Sequence, residues 1–242
     1  MSEQDLNGHV ALITGSSSGI GRATVLAFAA RGASVVGVAR SDDALGAAVA
    51  ELGGDYVQVR GDVRCESTAT AAVQEALERY GHIDTLVNGA GVGQYDDFVN
   101  ATAELYDEIM DTSMRGTFLF TAATVPHMIA RHQGTIIQVA SQAGLQGFPR
   151  EAVYCAAKHA QVGFSRSLRR ELQPHGIKVG VVCPAAVLTE FAHGRGRDDE
   201  FLSHTDYFLA ATDLAAAILF MATQSPNSRV TEMALISLGE AL

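Results

Sequence analysis

From Val10 onward, short β-branched runs bounded by glycine alternate with longer stretches at helical spacing. The runs His9–Thr14, Ser34–Ala39, Asp55–Arg60, Ile83–Asn88, Thr135–Ala140, Ile177–Cys183 and Ala234–Leu238 read as strands. Between them lie helical segments, of which Glu104–Arg131 and Ala152–Gln173 are the longest. Strand then helix, repeated without interruption, predicts an α/β fold: a doubly wound parallel sheet of about seven strands, covered on both faces by right-handed crossovers. No linker, low-complexity tract or short repeat divides residues 1–242, so one domain is expected. The stretch 185–210 lacks clear periodicity and carries Gly194-Arg195-Gly196-Arg197, then the acidic patch Asp198–Glu200. It suits a flexible substrate flap, and equally a solvated surface loop.

Charge narrows the partners. The chain has 27 acidic against 17 basic residues and a formal net charge of -10. Such a surface repels phosphate backbones and anionic lipid, which argues against nucleic acid and membrane partners. A hydrophobic content of 48% is too high for disorder, and the longest uncharged apolar run, Leu214–Ala222, is too short to cross a bilayer. Met1–Leu6 shows no signal-peptide pattern, so a cytoplasmic location is expected. Cys65, Cys155 and Cys183 are far apart and read as buried free thiols. The eight histidines form no ligand cluster, and no metal is expected.

Directly after the first strand stands Thr14-Gly15-Ser16-Ser17-Ser18-Gly19-Ile20-Gly21, followed by the helical segment Arg22–Ala30. Glycines there allow a tight turn and let the backbone approach a pyrophosphate, whose charge is met by N–H groups at the helix N-terminus. The three serines add hydroxyl donors. Taken alone, such a turn also serves an ordinary strand-to-helix connection. Tyr154 and Lys158 are four residues apart in a helical segment and project from one face. An ammonium about 4 Å away, at an effective dielectric of about 20, favours a phenolate by about 4 kcal/mol, enough to lower a tyrosine pKa by nearly three units. Tyr154 could then exchange a proton with an alcohol or carbonyl oxygen near neutrality. Ser141, at the C-terminal end of the fifth strand, could hold that oxygen. A solitary Tyr-x-x-x-Lys pair is equally what an ordinary surface helix presents.

Together these segments, with Asn88-Gly89-Ala90-Gly91 after the fourth strand and Ser141 thirteen residues before Tyr154, resemble the short-chain dehydrogenase/reductase superfamily in its shorter, single-domain branch. The resemblance spans about Val10 to Thr189. It implies a Rossmann-type fold in which Tyr154 is the acid/base, Lys158 its electrostatic partner and a ribose ligand, and Ser141 the substrate-orienting hydroxyl. It further implies cofactor contacts from Gly15, Ser17, Ser18, Gly19, Ile20 and Gly21, from Asp62 and Val63 at the adenine, and from Asn88, Ala90 and Gly91 along the adenosine. Pro184, Val187 and Thr189 match the segment at the nicotinamide carboxamide. Ser113 stands where the family has a catalytic asparagine, whose backbone holds a water that connects the lysine to solvent. Gly89 and Ala185 also depart from the pattern, and the tail Ile236-Ser237-Leu238-Gly239-Glu240 replaces the customary final turn.

The second strand ends in Val38-Ala39-Arg40-Ser41. Ala39 offers no carboxylate for the ribose hydroxyls of NAD, whereas Arg40 and Ser41 suit a 2'-phosphate, so NADP(H) is favoured over NAD(H). Arg40 could instead stack on adenine, and Asp42 and Asp43 count against the phosphate. Around the expected substrate position stand Val92, Gln94, Tyr95, Gln142, Leu145, Phe148, Ala186 and Phe191, mostly apolar and without an arginine clamp. This predicts a small uncharged substrate. His193 and His204 could touch it, or be exposed loop histidines. The expected reaction is NADP(H)-dependent interconversion of a ketone or aldehyde and an alcohol. The alternatives are an NAD-linked alcohol or hydroxysteroid-type dehydrogenase and a non-catalytic nucleotide-binding sensor or scaffold. Phe118, Phe120, Val125, Met128, Val162, Phe164 and Leu168 exceed what one sheet-facing stripe requires. With the helix pairing the resemblance implies, they predict a homodimer or homotetramer, unless all of them face the sheet.

Overall fold

The computed structural model describes residues 5–42, 44–197 and 208–239. Seven strands form one sheet: β1 (Val10–Thr14), β2 (Ser34–Ala39), β3 (Asp55–Arg60), β4 (Thr85–Asn88), β5 (Gly134–Val139), β6 (Ile177–Pro184) and β7 (Glu232–Leu235). Their order is β3-β2-β1-β4-β5-β6-β7, and every pairing is parallel. The helices are α1 (Gly19–Ala29), α2 (Leu45–Glu51), α3 (Glu66–Tyr80), α4 (Ala103–Met110), α5 (Gly116–Arg131), α6 (Ala152–Leu172) and α7 (Ala211–Ala222).

The inner strands β1, β2, β4, β5 and β6 are buried on both sides and largely apolar, whereas the edge strands β3 and β7 are partly exposed and carry polar residues. Alternate residues serve opposite layers. Ala11 and Ile13 of β1 pack into one cluster with Phe28 of α1 and Ile218 of α7. Leu12, between them, joins Phe120 and Met128 of α5 in the other. The strand order reverses between β1 and β4, which opens a crevice at the C-terminal ends of those strands.

Several boundaries shift by a residue or two from the sequence reading, and three of the differences carry a physical point. β4 starts at Thr85 because the Asp84 carboxylate accepts the Val10 N–H at 2.9 Å and pairs with Arg131 at 3.2 Å. The carboxylate thus takes the Val10 N–H, while the Asp84 backbone still bonds to Val10 and Thr135. β7 ends at Leu235, opposite Pro184, and Leu238 beyond it is fully exposed. The segment expected as one helix from Glu104 to Arg131 is two, joined by a π turn at Asp111–Arg115. The wider turn is followed by Gly116, where a Cβ would lie 3.1 Å from Val63 Cγ2. The start of α5 is therefore pressed against the loop that follows β3.

Two side-chain expectations are also corrected. Phe120, Met128 and Val162 are fully buried inside the chain, and Val125 and Leu168 pack on the same core. The inner stripe is wider than one row, and Phe118 remains the large exposed residue of that set. Cys155 and Cys183 are buried, but Cys65 is exposed at the start of α3, where it precedes the first turn. Among the described residues, no helix is long and apolar enough to cross a membrane.

Candidate active site

The turn from β1 into α1 is shaped by backbone proximity. Gly15 has φ +74°, and a Cβ on it would sit 3.0 Å from the backbone of Ala90. A Cβ on Gly21 would run into the Gly15 carbonyl. Thr14 Oγ1 accepts the N–H groups of Gly89 at 3.0 Å and Ala90 at 3.2 Å, which ties the loop after β4 to the first loop. A side chain at Gly89 would press on the Thr14 carbonyl at 2.8 Å, which accounts for glycine there. No side chain caps the start of α1 at Ser18. Bare backbone and an uncapped helix start facing a cleft suit a pyrophosphate.

The cleft has a volume of about 610 Å³ and runs from the ends of β2 and β3 across the glycine loop to α6. Its walls include Gly15, Ser17, Ser18, Gly19, Ile20, Gly21, Arg40, Asp62, Val63, Ala90, Gly91, Ser141, Tyr154, Lys158, Pro184, Val187 and Thr189. One continuous cleft thus joins the glycine loop to the Tyr154 end of α6. Three expected residues are not in the wall. Ser41 is exposed beside it, with its carbonyl accepting Gln58 Nε2 at 2.6 Å. Asn88 is buried and donates from Nδ2 to Thr121 Oγ1 at 3.2 Å, away from the cleft. Ser113 is buried behind it. Asp62 is held by Arg64, whose guanidinium lies 2.7 Å from its carboxylate and keeps it below the usual aspartate range.

At the far end, α6 presents Tyr154 and Lys158 on one face, as their spacing requires. Ser141 follows β5, and its Oγ accepts the Ala143 N–H at 3.1 Å, which fixes the hydroxyl at the cleft floor. Burial pushes the Tyr154 phenol above its ordinary value, with Tyr95 and Glu151 adding to the rise, while the nearby Ser141 hydroxyl and the charge of Arg197 oppose it. Burial likewise pushes Lys158 down to about 8. Burial thus works against the lysine-driven lowering of the tyrosine expected from spacing. Lys158 Nζ lies 5.5 Å from the Tyr154 ring centroid and is directed to the Val139 carbonyl at 3.0 Å and to Gln161 Oε1 at 2.9 Å. The Ser113 carbonyl, which the resemblance reserves for a water, accepts Gln161 Nε2 at 3.2 Å.

The substrate end holds more charge than the sequence suggested. Val92, Tyr95, Gln142, Phe148, Ala186 and Phe191 line it, whereas Gln94 and Leu145 do not. The Phe191 ring lies 5.6 Å from that of Tyr154. Glu151, Glu190, His193, Arg195 and Arg197 also reach the wall. Arg195 pairs with Glu108 at 2.7 Å, and its carbonyl accepts the Tyr95 N–H at 2.9 Å. Arg197 donates to the carbonyls of Val187 and Phe191 at 3.2 and 3.3 Å. Both arginines, absent from the sequence-based pocket, are thus spent on closing the first part of the 185–210 stretch over the cleft. Val187 bridges to Leu209 at the other side of that stretch. His204, Asp43 and the acidic patch lie outside the described residues. His193 was anticipated; of the missed Glu151, Glu190, Arg195 and Arg197, only Glu151 had a signal in sequence, three residues before Tyr154 at the start of its helix.

Comparison with known proteins gives a consistent result. Residues 9–200 match the family described as short chain dehydrogenase. A Streptomyces virginiae protein, whose name places it as a ketoacyl reductase of the monensin polyketide synthase, is 44% identical over 76% of this chain and 72% of its own. D-threitol dehydrogenase of Mycolicibacterium smegmatis is 34% identical over 91% of this chain and 88% of its own. Among solved structures, a metagenomic short-chain oxidoreductase in complex with NADP superposes with a TM-score of 0.82 at 28% identity, covering 95% of this chain and 97% of that one.

Proposed function

Because the chain belongs to the short-chain dehydrogenase family and is an NAD(P)-dependent oxidoreductase, we propose that it interconverts a small ketone or aldehyde and the corresponding alcohol, with Tyr154 as the acid/base. The observation that carries this reading is that Ser141, Tyr154 and Lys158 come together in the wall at one end of the cleft that begins at the glycine loop. Ser141 holds the substrate oxygen, and Tyr154 gives or takes the proton at that oxygen. Lys158 stands behind Tyr154 on the same helical face and supports the phenolate. When bound, the nicotinamide supplies or accepts the hydride.

The glycine loop and the start of α1 would hold the pyrophosphate, with Val63, Ala90 and Gly91 along the adenosine and Val187 and Thr189 at the nicotinamide end. NADP(H) is the favoured form. Arg40 is exposed on the cleft wall, Ala39 beside it carries no carboxylate, and Arg60 Nε donates to the Arg40 carbonyl at 3.1 Å, which brings a second cation to that rim. The substrate is small and carries no negative charge, because Glu151 and Glu190 share the wall with two arginines that are already engaged. The names of the two relatives, a ketoacyl reductase and a polyol dehydrogenase, both fit a carbonyl/secondary-alcohol couple.

Reduction of a ketone panel, followed by loss of NADPH absorbance, tests the reading. Tyr154→Phe is expected to abolish turnover while NADPH affinity stays within a few-fold, since only the ionisable oxygen is removed. Full activity in that variant would sink the mechanism.

A further inference from the structure

Gln161 lies one turn beyond Lys158 on α6 and is fully buried. Its amide makes three hydrogen bonds. Oε1 accepts from Lys158 Nζ at 2.9 Å, and Nε2 donates to the Ser113 carbonyl at 3.2 Å and to Thr117 Oγ1 at 2.7 Å. The orientation is set by chemistry, because a flipped amide would turn its NH₂ toward the ammonium and its oxygen toward a carbonyl. With the Val139 carbonyl at 3.0 Å, Gln161 holds two of the three ammonium hydrogens, while Lys158 still lines the cleft.

We infer that Gln161 is a positioning residue for the Tyr154–Lys158 pair: its amide ties the Lys158 ammonium to the π turn and favours the charged form. The inference rests on reading Tyr154 and Lys158 as the proton-handling pair. It follows from an unusual meeting of elements, since the π turn carries the Ser113 carbonyl to the one polar side chain between Ala160 and Val162 on the inner face of α6. Burial works against the lysine's charge, and the amide oxygen, an acceptor at every pH, works for it. The titratable groups facing Lys158 are Tyr154 on its own helix and Cys183 on β6. β5 presents the Val139 carbonyl, and the π turn acts through Gln161.

The chain has two lysines, Lys158 and Lys178. Protein labelled with carbon-13 at the lysine ε carbon therefore gives two titrating NMR signals, one of them an internal control. Removing the acceptor in Gln161→Met is expected to move the Lys158 midpoint down by about one pH unit or more, the scale of a lost bond to a charged group, and Gln161→Glu is expected to move it up by a similar amount. Lys178 should stay fixed in both. In the same variants the pH dependence of kcat should shift with the Lys158 midpoint, with cofactor KM within a few-fold of wild type. If Gln161→Met does not fold, Gln161→Glu decides: an unmoved Lys158 midpoint there overturns the inference, as does a shift in the same direction in both variants. The titration needs no turnover, so equal activity of wild type and Tyr154→Phe would defeat the reading of the pair while leaving the Gln161 result to stand or fall alone.

Discussion

Glu151 is a carboxyl held where a charge is unwelcome. It begins α6 at the wall of the cleft, and burial pushes it up to about 7 from the ordinary 4.5, with only Arg197 pulling the other way. Moving a carboxyl that far corresponds to about 3 kcal/mol at full strength, and because the group is only half-buried, solvent screening roughly halves this to about 1.5 kcal/mol. The sign follows from the direction. A raised folded-state pKa means that the unfolded chain ionises first, so stability falls as pH climbs from about 4.5 to about 7 and is flat above. Glu151→Gln removes the ionisation. It should stabilise the protein by about 1 to 2 kcal/mol near pH 8 and leave it nearly unchanged near pH 4.5, read as the shift in a urea midpoint at each pH. An equal gain at both pH values would mean that the amide makes a new hydrogen bond and that the carboxyl was never disfavoured. No gain near pH 8 would mean that solvent reaches it freely.

Arg40→Ala should weaken NADPH binding by about 1.5 to 3 kcal/mol in calorimetric titration and leave NADH nearly untouched, since only the 2'-phosphate is lost as a partner. Equal losses for both would place Arg40 on the adenine. Gly21→Ala forces the turn apart at the Gly15 carbonyl, and overpacking of this kind costs about 1 to 3 kcal/mol in stability, with loss of NADPH affinity in the same preparation. Wild-type cofactor affinity would show that the turn is not the cradle. Phe120→Ala, at a fully buried position of α5, should cost about 3 to 5 kcal/mol in a urea melt. A cost under about 1 kcal/mol would show that the surrounding core collapses into the space.

The inner strands were legible because a parallel sheet buries both of their faces, so each is a largely apolar run bounded by glycine, while the edge strand β3 showed itself by β-branched and aromatic residues between polar ones. Their ends were less so. At Asp84 a side chain substitutes for a backbone partner, and no propensity records that exchange. The break in the Glu104–Arg131 segment was invisible because a one-residue slip leaves the apolar fraction of a long helix unchanged. Tyr154 and Lys158 were legible as a pair by the i, i+4 rule, whereas Gln161 became meaningful only once the π turn brought Ser113 to it. Arg195 and Arg197 reach the cleft through a loop that folds back onto Tyr95, a contact between distant segments with no local sequence trace. For Tyr154, spacing supplies Lys158 as a neighbour on the helix face, and only the fold supplies the burial that opposes ionisation.

The π turn between α4 and α5 also sets how this helix tolerates changes in length. An α-helix turns by about 100° per residue, so the extra residue lets the two halves keep separate phases. α4 directs Ile109 toward the cluster that contains Tyr154, while α5 directs Phe120 and Met128 into the sheet core. A single deletion within Asp111–Arg115 would restore an uninterrupted helix and put those two demands out of register, so that one of the faces must rotate away from its neighbours. The residue count of this segment therefore couples the packing of the scaffold to the placement of Ser113 and, through Gln161, to the lysine.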